Sequence, residues 1–293
     1  MLFFVALLVD GILAGAVYAL IALAFVVVYK ASRVINFSLG EWITVASRLV
    51  GAGTHALGLS LTGALAFASA GMTLLAVAFN RLVLHRLIGR PVISLLMVTI
   101  GFGAVLRAST VLFFPAGSAD LGLPVPSEPL QIAGVFVAPS RLIAAALAGL
   151  GVVIVAAVYR TRTGLALHAL ADDPQAAMAA GIDVDRYVLL TWAMAGVIGV
   201  VAGTLATALW GGGLGLAIIG LKVFPIVVVG GMDSLAGTVV GALLIGVLES
   251  QAAGYLDPLL GAGFSNLAPY LVLLTVLMLR PSGLFGTPTI NRV

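Results

Sequence analysis

The sequence predicts an all-α polytopic membrane bundle, on three observations. Hydrophobic residues make up 62% of the 293-residue chain, charged residues 9%, and mean hydropathy is +1.23. A soluble domain carries about 25% charged residues. Long apolar runs fill nearly the whole chain, and most of the charges sit between them. A bilayer core about 30 Å thick is crossed by about 20 apolar helical residues, so a single transmembrane domain over 1–293 has room for roughly eight or nine spans, some of them broken or re-entrant.

The elements follow from those runs. The first span is expected over 2–29, with Asp10 near its outer end and Lys30 and Arg33 after it. A short apolar stretch over 41–52 reads as a half-helix. Spans follow over 59–80 and 92–114, separated by Arg81, Arg86 and Arg90. The loop 115–140 holds five of the twelve prolines and no Lys or Arg. Further spans are expected over 142–159, 187–210, 214–230, 235–248 and 267–279. The segment 160–186 is the most polar of the chain. The N-terminus, Met1-Leu2-Phe3-Phe4-Val5, lacks a basic n-region, so a cleaved signal peptide is not expected.

Basic residues set the orientation, because they favour cytoplasmic loops. Lys30/Arg33, Arg81/Arg86/Arg90, Arg160/Arg162/Arg186 and Arg280/Arg292 hold ten of the fourteen Lys and Arg. Placing them inside makes 115–140 extracellular, the N-terminus outside and the C-terminus cytoplasmic. The alternation requires 214–230 to be a true crossing or a paired re-entrant segment. The net charge of +3 belongs to this bias and does not argue for nucleic acid. Small-residue spacings at Gly11/Gly15, Gly199/Gly203 and Gly237/Gly241 let helices approach closely, within the bundle or against a second subunit.

Three stretches carry the information. In 160–186, Asp173 is a good N-cap, Pro174 suits the first helical position and Gly181 suits C′. The two turns between them would not persist alone in water, so they need a partner surface. That surface is either the chain's own bundle or a soluble protein docked on the cytoplasmic side. In 33–42, Asn36, Phe37, Ser38, Gly40 and Glu41 interrupt apolar sequence with no room for a long loop. Non-helical backbone at membrane depth must be buried in protein or line a water-filled cavity, as at transporter sites; the plainer reading is an interfacial turn anchored by Trp42. In 220–237, breaks are expected at Pro225 and at Gly230-Gly231, followed by Asp233-Ser234. Asn-Phe-Ser-Leu-Gly at 36–40 and Asp-Ser-Leu-Ala-Gly at 233–237 echo each other, and paired interruptions point to a repeat interface.

Ionisable residues within apolar stretches need a reason. Arg48, Arg107, Lys222, Asp233 and Glu249 qualify. Lys222 and Arg107 either snorkel or face a subunit contact, and Glu41 or Glu249 is available to Arg48. The missing chemistry matters equally. With no cysteine, disulfides and thiolate metal sites are excluded. His55, His85 and His168 show no metal-ligand spacing. There is no Gly-Lys-Ser/Thr phosphate loop and no nucleophile elbow, so no metal, cofactor or enzymatic activity is expected, and the chain cannot hydrolyse ATP by itself.

Four stretches together resemble the permease subunits of branched-chain amino acid ABC importers, in the branch whose smaller permease pairs with a longer one. They are Tyr18-Ala-Leu-Ile-Ala-Leu with Arg33-Val-Ile-Asn-Phe-Ser-Leu-Gly-Glu; Arg160-Thr-Arg-Thr-Gly-Leu-Ala through Asp172-Asp173-Pro174 to Gly181-Ile-Asp-Val-Asp; Gly220-Leu-Lys-Val-Phe with Val229-Gly-Gly-Met-Asp-Ser-Leu-Ala-Gly; and Leu279-Arg-Pro-Ser-Gly-Leu-Phe-Gly. They run in the family's order over nearly the full length. Leu39, where the family often has His or Gln, and Arg48, at a usually uncharged position, depart from it.

The resemblance implies a multi-pass subunit of the bacterial inner membrane, embedded in lipid. It works with a second, longer permease, two ABC ATPases that bind the ATP, and an extracellular solute-binding protein that docks in part on 115–140. Thr163, Gly164, Leu165, Ala169, Asp172, Asp173, Pro174, Ala177 and Gly181 then form the ATPase-coupling segment. Asn36, Phe37, Ser38, Gly40, Glu41, Gly230, Gly231, Asp233 and Ser234 then line the translocation pathway. Hydrophobic amino acids are the implied cargo. The rival readings are the same machine for urea, amides or aromatic acids, an ion-coupled single-chain carrier, and an intramembrane enzyme.

Overall fold

The computed structural model describes residues 1–87, 91–114, 121, 128–132, 134–212, 215–261 and 263–286. Among them the order is α1 (Leu2–Ser32), α2 (Leu39–His55), α3 (Leu61–Leu82), a 3-10 turn (Leu84–Leu87), α4 (Val92–Phe113), the strands β1 (Leu130–Ile132) and β2 (Val135–Val137), α5 (Pro139–Tyr159), α6 (Arg162–Asp172), α7 (Pro174–Ala179), α8 (Val184–Trp210), α9 (Gly215–Gly230), α10 (Leu235–Tyr255), α11 (Asp257–Leu260) and α12 (Phe264–Leu279). Six helices, α1, α3, α4, α5, α8 and α10, are long and apolar enough to cross a membrane, and α9 and α12 are apolar but shorter.

Several elements differ from their sequence expectation. The stretch over 41–52 belongs to a helix of 17 residues, α2, which starts at Leu39 and runs on to His55, with the Thr54 hydroxyl donating to Val50 O (3.3 Å) and Gly51 O (3.1 Å) in its last turn. The break expected at Pro225 is absent: α9 is continuous through it, with Pro225 buried, and only the Gly230-Gly231 break is real. A membrane helix tolerates proline where its surroundings re-satisfy the freed carbonyl. Helix α10 continues past 248 to Tyr255, since Glu249, Ser250 and Gln251 find polar partners. The 160–186 segment holds two helices rather than one. The 115–140 loop contains the β1–β2 hairpin, with Leu130 opposite Val137. Arg90, Asp120, Arg292 and most of that loop lie outside the described residues.

The chain divides into two compact units. The first comprises 1–26, 123–152 and 222–293. Its seam is glycine on glycine: a Cβ on Gly246 would lie 2.5 Å from the Gly11 carbonyl oxygen and 2.7 Å from Gly15 Cα. Within the span-forming helices Asp10 pairs with Arg141, and Lys222 pairs with Glu249, beside the Tyr18 hydroxyl. The Asp257 carboxylate accepts bonds from Ser265 N and Oγ, both 2.8 Å, and fixes the start of α12. Those bonds hold the Asp257 carboxyl below its usual range.

The second unit comprises 27–122 and 153–221. Helices α2, α3, α4 and α8 enclose an aromatic core of Trp42, Phe79, Phe102 and Trp192, with ring centroids 4.2 Å apart for Phe79–Phe102 and 5.7 Å for Trp42–Trp192. Trp42 is therefore a core residue, only 3% exposed, and not an interfacial anchor. Ser47 and Thr207 share a hydrogen bond of 2.6 Å between α2 and α8.

Gly246→Ala is expected to push α1 and α10 apart at a cost of about 1–3 kcal/mol. Gly149→Ala, built into open space, is expected to be neutral or stabilising by up to about 1 kcal/mol. Apparent melting temperatures of the solubilised protein check this, and equal shifts contradict the glycine seam.

Candidate coupling and translocation sites

The first site is the pair α6–α7. Helix α6 buries Gly164, Leu167, Leu170 and Ala171, one face at near-helical spacing. At Gly164 a side chain is impossible: a Cβ would meet the Tyr159 carbonyl oxygen at 2.1 Å. Leu165, by contrast, is 70% exposed, and Thr163 and Ala169 are half-buried. Asp172 and Asp173 are exposed at the junction, where Asp173 caps α7 by accepting from Gln175 N (2.8 Å) and Ala176 N (3.0 Å). Pro174 opens α7, Ala177 is its buried residue, and Met178 points outward at 54% exposure. Gly181 closes it at φ +83°, with its N–H on Met178 O and the Ile182 N–H on Ala177 O. The capping expected from sequence is thus present at both ends of α7.

A side-chain cluster seats α6. The His168 ring stands edge-on to Tyr159 at 5.7 Å, and the Lys30 ammonium lies 5.6 Å from the same ring. Burial, then the Lys30 charge, lowers His168 below its usual range, and Asp172 opposes the shift. Arg33 donates from Nη2 to Ala171 O at 3.1 Å. Arg33 adopts φ +54° just past the end of α1, a left-handed conformation that a non-glycine residue holds only where its surroundings fix it.

The second site begins where Arg33 ends. Residues 33–38 are not helical. Thr99 accepts from Phe37 N (3.4 Å) and donates towards Ile35 O (3.3 Å) and Leu96 O (2.9 Å). Thr99 is seven residues into α4, about 10 Å along that helix, so this backbone packs against the side of α4 rather than beyond its end. Asn36 Oδ1 accepts from Ser38 N (3.0 Å) and Ser38 Oγ (2.6 Å), and Ser38 Oγ accepts from Trp42 Nε1 (3.1 Å). Gly40 admits α9 closely: a Cβ there would lie 2.5 Å from Ala217 O. Glu41, buried in the first turn of α2, pairs with Arg107 of α4. Phe37, Glu41, Gly103, Ala104, Arg107, Val111 and Leu112 are among the residues lining an open cleft of about 830 Å³.

The remaining predicted residues lie in the other unit. Gly230 ends α9, Gly231 turns at φ +103°, Asp233 is half-buried in the turn, and Ser234 caps α10 by accepting from Gly237 N at 2.9 Å. Leu284 N and Phe285 N donate to Val229 O (2.8 Å) and Gly230 O (3.1 Å), so the C-terminal stretch caps the carbonyls that end α9. Two sequence stretches far apart in the chain therefore meet at one turn. Arg107 and Lys222 do not snorkel; each meets a carboxylate, Glu41 and Glu249, which the sequence had offered to Arg48. Thr99 escaped the sequence reading, since one threonine in an apolar run gives no signal of its own, and His168 is weighed there only as a metal ligand, not as a seat for α6.

A helical chain with six helices long and apolar enough to cross a membrane and two short helices between spans is a multi-pass membrane protein with the parts of a permease. The fold is shared with a chain of PsaBC from Streptococcus pneumoniae, solved in complex with Fab, at a TM-score of 0.52 over 94% of this chain and 92% of that one, with 16% identity. The chain belongs to the family described as branched-chain amino acid transport system / permease component, which it matches over residues 7–279. Similar curated proteins include the high-affinity branched-chain amino acid transport system permease protein LivH of Salmonella typhimurium, 27% identical over 100% of this chain and 98% of that one. BraD of Pseudomonas aeruginosa, of the same description, is 25% identical over 98% and 97%.

Because folding lowers the His168 pKa, its contribution to stability is complete above the ordinary histidine range, about 6.5, and falls as pH drops below it. The wild-type melting temperature is expected to fall between pH 7.5 and 5.5 by more than that of His168→Gln; identical pH profiles contradict the assignment.

Proposed function

We propose that this chain is the permease subunit of an ATP-driven importer that moves branched-chain amino acids, delivered by an extracellular solute-binding protein, across a bacterial inner membrane. It pairs with a second, longer permease, two ATPase subunits supply hydrolysis, and the chain itself catalyses no reaction. The N-terminus is outside, and α6–α7 and the C-terminus are cytoplasmic. The observation that carries this reading is the α6–α7 element. It is capped, glycine-seated and locked to the chain by Arg33, yet it turns Leu165 and Met178 outward. Exposed apolar residues on a rigid element suit burial in a partner. Full-length similarity to named permease proteins supports the same conclusion.

The connectivity suggests how force enters. A push on α6 and α7 reaches Ala171, and the Arg33 guanidinium holds that carbonyl. The non-helical segment 33–38 then carries displacement to Glu41 and the start of α2. A hinge of this kind needs few residues and a change in backbone dihedrals. On this reading Asn36 to Glu41 line the pathway, as do Gly230, Gly231, Asp233 and Ser234 on their own unit.

The test is uptake by the assembled complex in proteoliposomes, with ATP hydrolysis measured in parallel. Leucine uptake should require the ATPase subunits, and uptake without them contradicts the proposal. Asp173→Ala removes a cap worth about 1 kcal/mol. Together with Gly181→Val, it should cut solute moved per ATP about ten-fold while the complex still assembles. Arg33→Ala should do the same; a normal ratio in all of these variants would exclude the proposed route.

A further inference from the structure

We infer that Glu41 and Arg107 form a zwitterion-reading station in the α2–α4 cleft, which takes the ammonium and carboxylate of a free α-amino acid. Arg107 is the residue that demands an explanation. Its side chain is 57% exposed, on a 22-residue apolar helix and about 9 Å from that helix's end. An arginine so placed does not face lipid; it faces protein or water. The cleft supplies that surrounding. Its volume of about 830 Å³ lies in the ~300–1,000 Å³ range of small-molecule sites.

The chemistry of the lining selects the ligand class. Glu41 and Arg107 are the charged residues of the cleft, and they have opposite signs. Around them Phe37, Val111, Leu112 and Leu221 supply an apolar wall. Gly103 leaves room beside the carboxylate: a Cβ added there would lie 3.4 Å from Glu41 Oε2. A zwitterion entering between the two side chains exchanges one ion pair for two and leaves the net charge of the site unchanged. Guanidinium and carboxylate match as a planar, two-pronged pair, while the ammonium meets the Glu41 carboxylate. A branched aliphatic side chain then lies on the apolar wall. A solute with only one of the two charges leaves a protein charge unpaired and is disfavoured. In the structure the two residues pair with each other.

This station rests on the reading of the chain as an amino acid permease, and the experiment separates the two claims. The chain has no cysteine, so Ala108→Cys places a single thiol of this chain on the cleft wall. The full complex in proteoliposomes is labelled with a charged thiol reagent in the presence of leucine, 4-methylpentanoate or 3-methylbutylamine. The last two each keep one charge. Leucine should slow labelling at least five-fold and the single-charge analogues should not. The double variant Glu41→Gln/Arg107→Gln removes both charges and leaves neither stranded. It should abolish protection and lower ATP-driven leucine uptake at least ten-fold. The charge swap Glu41→Arg/Arg107→Glu restores a merely structural pair, and uptake should stay low in it. Equal protection by all three solutes, or wild-type uptake in the double or swapped variant, overturns the station. Absence of ATP-driven leucine uptake by the unsubstituted complex overturns the permease reading instead.

Discussion

The backbone of residues 33–38 lies beside a transmembrane helix without being helical, and its peptide groups must be satisfied there. Lipid offers no hydrogen-bond partners, so each unpaired amide or carbonyl at that depth costs several kcal/mol. The chain meets this demand with side chains. Thr99 takes the Phe37 amide and faces the Ile35 carbonyl. Asn36 folds onto Ser38, and Ser38 is held by Trp42. Trp42 in turn is fixed by the aromatic core with Phe79, Phe102 and Trp192. The interruption is therefore rigidly supported on one side and tied through Arg33 to α6 on the other. A non-helical link of this kind between α1 and α2 can be moved from outside the membrane and still present a polar surface to the helices around it.

Charge is handled by the same rule. Glu41 and Arg107, Lys222 and Glu249, and Asp10 and Arg141 each join two helices. Pairing makes a charge tolerable in an apolar setting, although it is weak evidence for stability as such. The Lys222–Glu249 pair is largely shielded from solvent, with Lys222 buried and Glu249 only partly exposed, and reads as structural. Glu41–Arg107 differs because it opens onto a cleft, and that difference gives it a role in recognition.

The fold class and the order of spans were legible in the sequence because apolar length alone sets them. So were the caps of α7, because Asp-Pro and Gly carry their own local chemistry. The pairs across helices were not legible: Glu41 and Arg107 lie far apart in sequence, and either acid suited Arg48 equally well. Helix α6 was missed because its buried face, Gly164, Leu167, Leu170 and Ala171, is interleaved with other apolar residues, Leu165, Ala166 and Ala169, so no polar side marks the helix out. Pro225 misled because proline ends helices in water, whereas here α9 runs through it with the proline buried. The capping of α9 by Leu284 and Phe285 depends on tertiary contact, which no local pattern announces.

The central claim is that 33–38 moves when force enters through α6. A cysteine pair at Phe37→Cys and Thr99→Cys, in a chain otherwise free of cysteine, would pin that segment to α4. Transport by the assembled complex should stop on oxidation and return on reduction. Uptake at the normal rate with the disulfide fully formed would contradict the account.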